Sequence, residues 1–185
     1  MATSIRYEVE GWGVGELWLD GETLLWHELP RGTVPRTGPR DCPSNELARR
    51  LRSYFHGVRD SFNDVVLDLD GLTSFQRAVI ETLRSVPWGE VVTYGELAAL
   101  AGYPNAQRAV GSVCARNRFP IVVPCHRVVA ADGIGRYGSS GVEYKLRLLR
   151  LEGVGVARDA GSEAAAASPQ QPVDPAWVGA RRGLP

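Results

Sequence analysis

The sequence predicts an α+β fold: a small N-terminal α/β unit over residues 1–70, followed by a mainly helical unit over residues 71–155. Leu17-Trp18-Leu19 and Leu24-Leu25-Trp26 flank Asp20-Gly21, a hairpin-type turn signal that puts antiparallel strands near the N-terminus. Thr73-Ser74-Phe75-Gln76 and Thr93-Tyr94-Gly95-Glu96 are capping boxes, which open helices in the second unit. Residues 156–185 are Ala/Pro/Gln-rich without periodicity, which predicts a disordered tail.

Within the first unit, residues 31–44 carry Pro35, Pro39 and Pro43 and read as loop. Leu47, Leu51, Tyr54 and Phe55 recur at helical spacing, and Val65–Leu69 reads as a short strand. His27 and His56 stand alone and are read as structural. In the second unit, Val79, Ile80, Leu83 and Val86 form one apolar helical face that Pro87 ends. A short helix follows from Thr93 through Ala101, closed by Gly102. Tyr103-Pro104-Asn105 then leads into a helix over Ala106–Arg116, with Asn105 expected as its N-cap. Two short helices across a tight turn make a helix-turn-helix candidate. Ile121-Val122-Val123 reads as an extended run closed by Pro124, and Val142–Leu151 as a last helix ended by Gly153.

The 185 residues are 44% hydrophobic and 23% charged, which excludes wholesale disorder and a collagen-like chain. No apolar run approaches the roughly 18 residues needed to cross a bilayer, and the N-terminus shows no signal region. A cytoplasmic protein is expected. The three cysteines, Cys42, Cys114 and Cys125, contain no Cys-x-x-Cys pair, so neither a disulfide framework nor a zinc finger is suggested. The net charge of zero hides an asymmetry: residues 1–70 carry a net of −4 and residues 71–155 a net of +4. A basic half suggests a polyanionic partner. Lys145 is the only lysine.

In the helix from Ala106, the residues Ala109, Val110, Val113 and Cys114 form the apolar face, and Arg108, Gly111, Ser112 and Ala115 the opposite one. That opposite face is nearly bare of side chain, which suits close helix packing or docking against a nucleic-acid groove. Arg108 sits in the first turn, where a cation opposes the helix dipole, and this favours a use outside the fold. Pro124-Cys125-His126-Arg127 is the densest chemical cluster. Cationic neighbours favour a thiolate, the competent nucleophile. In an extended segment Cys125 and His126 would point to opposite faces, so a direct dyad is awkward and relay through water is easier. Glu152 ends its helix, where the dipole disfavours an anion; it is either solvated or set to orient a histidine.

Residues 71–153 resemble the catalytic domain of the O6-alkylguanine-DNA alkyltransferases. The matching segments are Phe75-Gln76, Pro87-Trp88-Gly89-Glu90, Thr93–Ala98, Arg108-Ala109-Val110-Gly111, Asn117, Ile121–Val129 and Glu152-Gly153. The resemblance implies a ribonuclease-H-like accessory domain ahead of a winged helix-turn-helix-like catalytic domain. It implies irreversible, stoichiometric transfer of an alkyl group from O6-alkylguanine, and from O4-alkylthymine, to Cys125 after base flipping. His126, polarised by Glu152, would draw the thiol proton through a water. Asn117 would brace the active-site segment. Tyr94 would help rotate the nucleotide and protonate the departing guanine. Arg108 would fill the gap in the duplex, with Tyr94, Ala109, Gly111, Ser112, Ala115 and Arg127 contacting DNA in its minor groove. Backbone groups near Cys125 and Val128 would read the guanine edge, and Val128, Tyr137, Gly138 and Ser139 would line the substrate pocket.

The resemblance also implies a monomer acting on double-stranded DNA, with no cofactor, no metal and no membrane. Some family members hold zinc through Cys and His in the N-terminal domain, but Cys42, His27 and His56 form no convincing set. Relative to the family pattern the chain is one residue shorter between Cys125 and Tyr137, and one longer between Tyr137 and Lys145, so the loop over the base is re-registered. Three rivals are weighed against this reading. A non-catalytic lesion binder is opposed by Cys125, a DNA-binding regulator by the plain first unit, and a cysteine hydrolase by Cys–His adjacency.

Overall fold

The computed structural model describes residues 1–32 and 45–155. The proline-rich loop, Cys42 and the tail from residue 156 lie outside the described residues. Two compact units are present. The first comprises Met1–Gly71 together with Asn117–Val123, and the second Leu72–Arg116 together with the chain from Pro124 onward. The segment Asn117–Val123 thus packs with the first unit, although it lies far inside the second by sequence.

In the first unit, β1 (Thr3–Val9), β2 (Gly13–Asp20) and β3 (Thr23–Arg31) form an antiparallel meander in the order β1-β2-β3. The Asp20-Gly21 signal sits at the β2–β3 turn, where Gly21 takes φ +59° and Asp20 pairs with Thr23. β1 is an element that the turn signals do not announce; its buried Tyr7 and Val9, with half-buried Ile5 between exposed neighbours, are the alternation that marks it. Helix α1 (Glu46–Phe55) lays Leu51, Tyr54 and Phe55 into the core against β1, with Asn45 capping Ala48 N at 2.9 Å. Val65–Leu69 does not form the expected strand. It makes a single bridge, Leu24 to Leu67, with two hydrogen bonds to Leu24, because the Asp68 carboxylate turns the chain by accepting from Asp70 N.

In the second unit both capping boxes are formed: Thr73 with Gln76 at the start of α2 (Ser74–Arg84), and Thr93 with Glu96 at the start of α3 (Tyr94–Leu100). Val79, Ile80 and Leu83 are buried, as are Leu97 and Ala98 of α3. Helix α4 (Gln107–Ala115) begins one residue later than the sequence suggests. Asn105 is not its cap. It adopts φ +68° to turn the chain between α3 and α4, and a left-handed residue cannot hold the extended geometry of an N-cap; Ala106 takes that place without a side-chain bond. The buried face of α4 is also narrower than expected, since Val110 is buried and Ala109 is exposed. Two-residue strands β4 (Val92–Thr93) and β5 (Val128–Val129) pair in parallel, and α5 (Val142–Leu151) buries Lys145, Leu146, Leu148 and Leu149. Among the described residues no helix is long and apolar enough to cross a membrane.

Ile121-Val122-Val123 is a tight turn, not an extended run. Ile121 takes φ +73° and Val123 N bonds to Phe119 O at 2.8 Å. A β-branched residue in that region is a genuine outlier, held by its surroundings.

Candidate active site

Cys125 is 8% exposed and opens a single 3₁₀ turn, Cys125–Arg127, that runs into β5. The turn follows Pro124, which ends the preceding segment and lacks the N–H that extension would use. Cys125 and His126 are therefore adjacent on a turn rather than on opposite faces of a strand. His126 is wholly buried, and its Nε2 lies 2.8 Å from Glu152 Oε1. A carboxylate only accepts, so Nε2 carries the proton in neutral His126 and the buried Nδ1 keeps its lone pair.

Glu152 is the C-cap of α5 and is buried, not solvated. Arg127 grips it with two prongs, Nε to Oε2 at 2.9 Å and Nη2 to Oε1 at 2.8 Å, while Nη1 donates to Val86 O at 2.6 Å. Gly89 N reaches Oε2 at 3.4 Å. Burial alone would raise the Glu152 pKa, but His126 and Arg127 hold the carboxyl well below the usual range. Burial lowers the His126 pKa; Glu152 opposes this, and the charges of Arg127 and Lys145 add to it. The arrangement at neutral pH is thus an ionised Glu152 neutralised by Arg127, with the neutral His126 imidazole bonded to Glu152 through Nε2. This corrects the expectation for Arg127. Buried and committed to Glu152 and Val86, its guanidinium is not presented to a DNA phosphate.

Tyr94 stands at the first position of α3, half-buried. Its phenol pKa is raised by burial first and then by Cys114 and Cys125, so it remains a proton donor at neutral pH. Glycines flank its ring on two sides, where an added Cβ would lie in ordinary van der Waals contact with it. A Cβ on Gly111 of α4 would come within 3.9 Å of the ring, and one on Gly135, at φ +71°, within 3.4 Å. The exposed side of α4 carries Arg108, Ala109, Ser112 and Ala115. Ser112 Oγ turns back onto Arg108 O at 3.2 Å. Cys114 lies in the same electrostatic neighbourhood as Tyr94 and Cys125, and its thiol pKa is raised chiefly by burial.

The expected pocket loop is only partly open. Tyr137 is buried and stacks on Tyr144 at 6.5 Å, whereas Gly138 and Ser139 are exposed in a 3₁₀ turn beside Ala115. Val128 is buried, and its N–H donates to Cys125 O while its carbonyl accepts from Lys145 Nζ at 2.6 Å.

Sequence reasoning missed Lys145. It is fully buried on α5, and Nζ also donates to Ile134 O at 2.6 Å and Arg136 O at 3.4 Å, so it ties the loop after β5 to the helix. Burial lowers its pKa to about 8, and negative charge on Cys125 or Cys114 works to keep it protonated. Being the sole lysine of an arginine-biased chain, on an apolar helical face, was the available signal. Asn117 belongs to the first unit, where Nδ2 donates to Val123 O at 2.8 Å and Oδ1 accepts from Phe119 N at 2.9 Å. Among the described residues no group of three or more His, Cys, Asp or Glu is placed to hold a metal ion.

A buried thiol next in sequence to a carboxylate-oriented imidazole is the arrangement of a candidate cysteine nucleophile. Residues 74–154 match the model of the 6-O-methylguanine DNA methyltransferase DNA-binding domain. The chain is 47% identical over 131 residues to a methylated-DNA–protein-cysteine methyltransferase of Methanopyrus kandleri, covering 70% of this chain and 95% of that one. Its fold is similar to that of Mycobacterium tuberculosis OGT, solved in complex with DNA, at 34% identity and a TM-score of 0.69, over 81% of this chain and 92% of that one. It is also similar to the O6-methylguanine-DNA methyltransferase of Pyrococcus kodakaraensis, at 31% identity and a TM-score of 0.62, over 83% of this chain and all of that one. The chain belongs to the methylated-DNA–protein-cysteine methyltransferase family.

Proposed function

We propose that this protein reverses alkylation damage by moving the alkyl group of O6-alkylguanine, and of O4-alkylthymine, in double-stranded DNA onto Cys125. The observation that carries the reading is Cys125 on the turn with His126, whose Nε2 is fixed by Glu152 at 2.8 Å. That bond leaves Nδ1 as the base on the ring next to the thiol. The thiol proton passes to His126 through a water, the sulfur attacks the alkyl carbon, and the carbon–oxygen bond breaks as the carbon–sulfur bond forms. Tyr94 protonates the departing guanine. A thioether has no easy route back, so each molecule acts once, and displacement by a thiolate needs no metal or organic cofactor.

The lesion lies within a base stack and must be extruded to reach a buried sulfur. We read α3 and α4 as a helix-turn-helix, winged by the β4–β5 pair, whose small residues Ala109, Gly111, Ser112 and Ala115 admit the minor groove. Arg108 occupies the space that the flipped base leaves, and Val128, Tyr137, Gly138 and Ser139 surround the base. The meander and α1 are read as a pared-down ribonuclease-H-like domain, and Asn117 as a brace on the carbonyl two residues before Cys125. The protein is proposed to act as a monomer in the cytoplasm, at the nucleoid when bound to DNA. The test is Cys125→Ala with a duplex bearing one O6-methylguanine. Binding retained with transfer abolished supports the reading; transfer retained contradicts it.

A further inference from the structure

The chain between α2 and β4 meets the Glu152–Arg127 pair with backbone groups of opposite polarity. The Val86 carbonyl accepts from Arg127 Nη1 at 2.6 Å, and the Gly89 N–H donates to Glu152 Oε2 at 3.4 Å. A carbonyl thus faces the cation, and an N–H faces the carboxylate. Gly89 is the third residue of a turn closed by Glu90 N to Pro87 O at 3.3 Å, and it takes φ +80°, the left-handed region that favours glycine. It also lies against the backbone of Glu152. A Cβ on Gly89 would sit 3.0 Å from the Glu152 carbonyl oxygen, which cannot swing aside as a side chain would. Conformation and space both call for a bare Cα here.

These contacts lie within the second unit. The turn runs on into β4, whose Val92 and Thr93 pair in parallel with Val128 and Val129 of β5. β5 in turn continues the Cys125–Arg127 turn. The segment that carries Gly89 is therefore laid in register beside the segment that carries His126 and Arg127. Glu152 arrives from the end of α5 and joins them: Oε2 meets Gly89 and Arg127, and Oε1 meets His126 Nε2 at 2.8 Å. One carboxylate spans both, so a displacement of the Glu152 backbone acts directly on the bond that fixes the His126 ring.

We infer that Gly89 is a positioning residue for alkyl transfer: its bare Cα lets the end of α5 lie against the α2–β4 turn, which sets the Glu152 carboxylate where it holds His126 protonated at Nε2. This rests on the alkyltransferase reading above.

The experiment uses the full chain. Single-turnover transfer from a duplex carrying one O6-methylguanine yields the rate at saturating protein and, separately, the half-saturating concentration. Proton NMR follows the His126 Nε2–H, assigned by its absence in His126→Ala. Gly89→Ala adds a Cβ and backbone strain together, whereas Gly89→Asn adds the same Cβ on a residue that tolerates the left-handed backbone. Gly21→Ala, in the β2–β3 turn at φ +59° with nothing within 4 Å of the added Cβ, carries the strain alone. The expected result is a saturated rate at least about tenfold lower in both Gly89 variants, the effect of a misplaced catalytic group, with the half-saturating concentration unchanged. The His126 Nε2–H resonance shifts or broadens in the same two variants. Gly21→Ala lowers Tm but keeps the wild-type rate and resonance. An unchanged His126 resonance in the Gly89 variants, rates that follow Tm across all three, or a wild-type rate in Gly89→Asn overturns the inference. If Gly89→Ala does not fold, Gly89→Asn decides alone. Should the wild-type protein itself transfer nothing, the alkyltransferase reading fails and takes the catalytic half of this inference with it; the His126 resonance still decides whether Gly89 positions Glu152.

Discussion

Glu152→Gln is the perturbation that separates the proposed proton path from mere thiol reactivity. Glu152 accepts from His126 at 2.8 Å and from Arg127 at 2.8 and 2.9 Å, in a site where none of the three is appreciably exposed. Glutamine has nearly the same shape, but it removes the charge and turns an amide N–H₂ toward groups that are themselves donors. Two costs follow. Leaving Arg127 as an uncompensated buried cation costs about 3–5 kcal/mol of stability. The second cost falls on the reaction. When His126 takes the thiol proton it becomes an imidazolium, and its bond to Glu152 becomes charge-assisted. Hydrogen bonds to charged groups are worth about 1.5–3 kcal/mol. At about 1.4 kcal/mol per factor of ten, the single-turnover rate at saturating DNA should fall about ten- to a hundred-and-fifty-fold. The assay is transfer from an O6-methylguanine duplex at a temperature where circular dichroism shows the variant folded. His126→Ala and the double variant complete a cycle. Because Glu152 acts through His126, the second substitution should add little to the first. A Glu152→Gln rate within about threefold of wild type, in folded protein, would refute the reasoning. So would full additivity of the two losses.

Other consequences can be measured with the same material. Arg108→Ala should weaken repair in duplex DNA several-fold more than reaction with free O6-benzylguanine, because the guanidinium serves the gap in the helix; equal losses on both substrates would remove that role. Tyr94→Phe should lower the saturated rate by about ten- to a hundredfold, the usual range for a lost general acid or less, while DNA affinity in a binding titration changes little. For His27, the unfolded chain binds a proton near pH 6.5 and the folded chain only near 4, so the unfolded state holds more protons between these values. The contribution of His27 is present above pH 6.5 and is lost as the pH falls toward 4. The lost contribution is on the order of 3 kcal/mol, at about 1.36 kcal/mol per unit. Urea unfolding at pH 4.5 and pH 7 should show this slope in the wild type and a smaller one in His27→Asn.

Local chemistry made part of this molecule readable. Thr73 with Gln76, and Thr93 with Glu96, close their capping boxes within four residues, so the pattern of letters carries the whole interaction. The same holds for the turn at Asp20-Gly21. What the letters do not carry is conformation imposed from a distance. Asn105 was a plausible cap by composition, yet the turn from α3 to α4 required it to be left-handed. Ile121 belongs to a turn because hydrogen bonds from β3, more than ninety residues earlier, hold it there; its apolar run alone favours an extended strand. At the site, adjacency identified Cys125 and His126 but not their neighbours' roles. Arg127 reads as a surface cation until Glu152 is found buried against it, and the same pairing decides between a solvated and a structural Glu152. Lys145 was visible as an oddity of composition, but its three carbonyl partners, one in β5 and two in the segment between β5 and α5, appear only in three dimensions.

The most direct test of the central claim is the intact mass of the protein after incubation with a duplex carrying a single O6-methylguanine, followed by peptide mapping. The account predicts one added methylene unit per protein molecule, on the peptide that contains Cys125, saturating at one equivalent and accompanied by unmodified guanine in the DNA. An unmodified protein, or an adduct confined to Cys114, would contradict it.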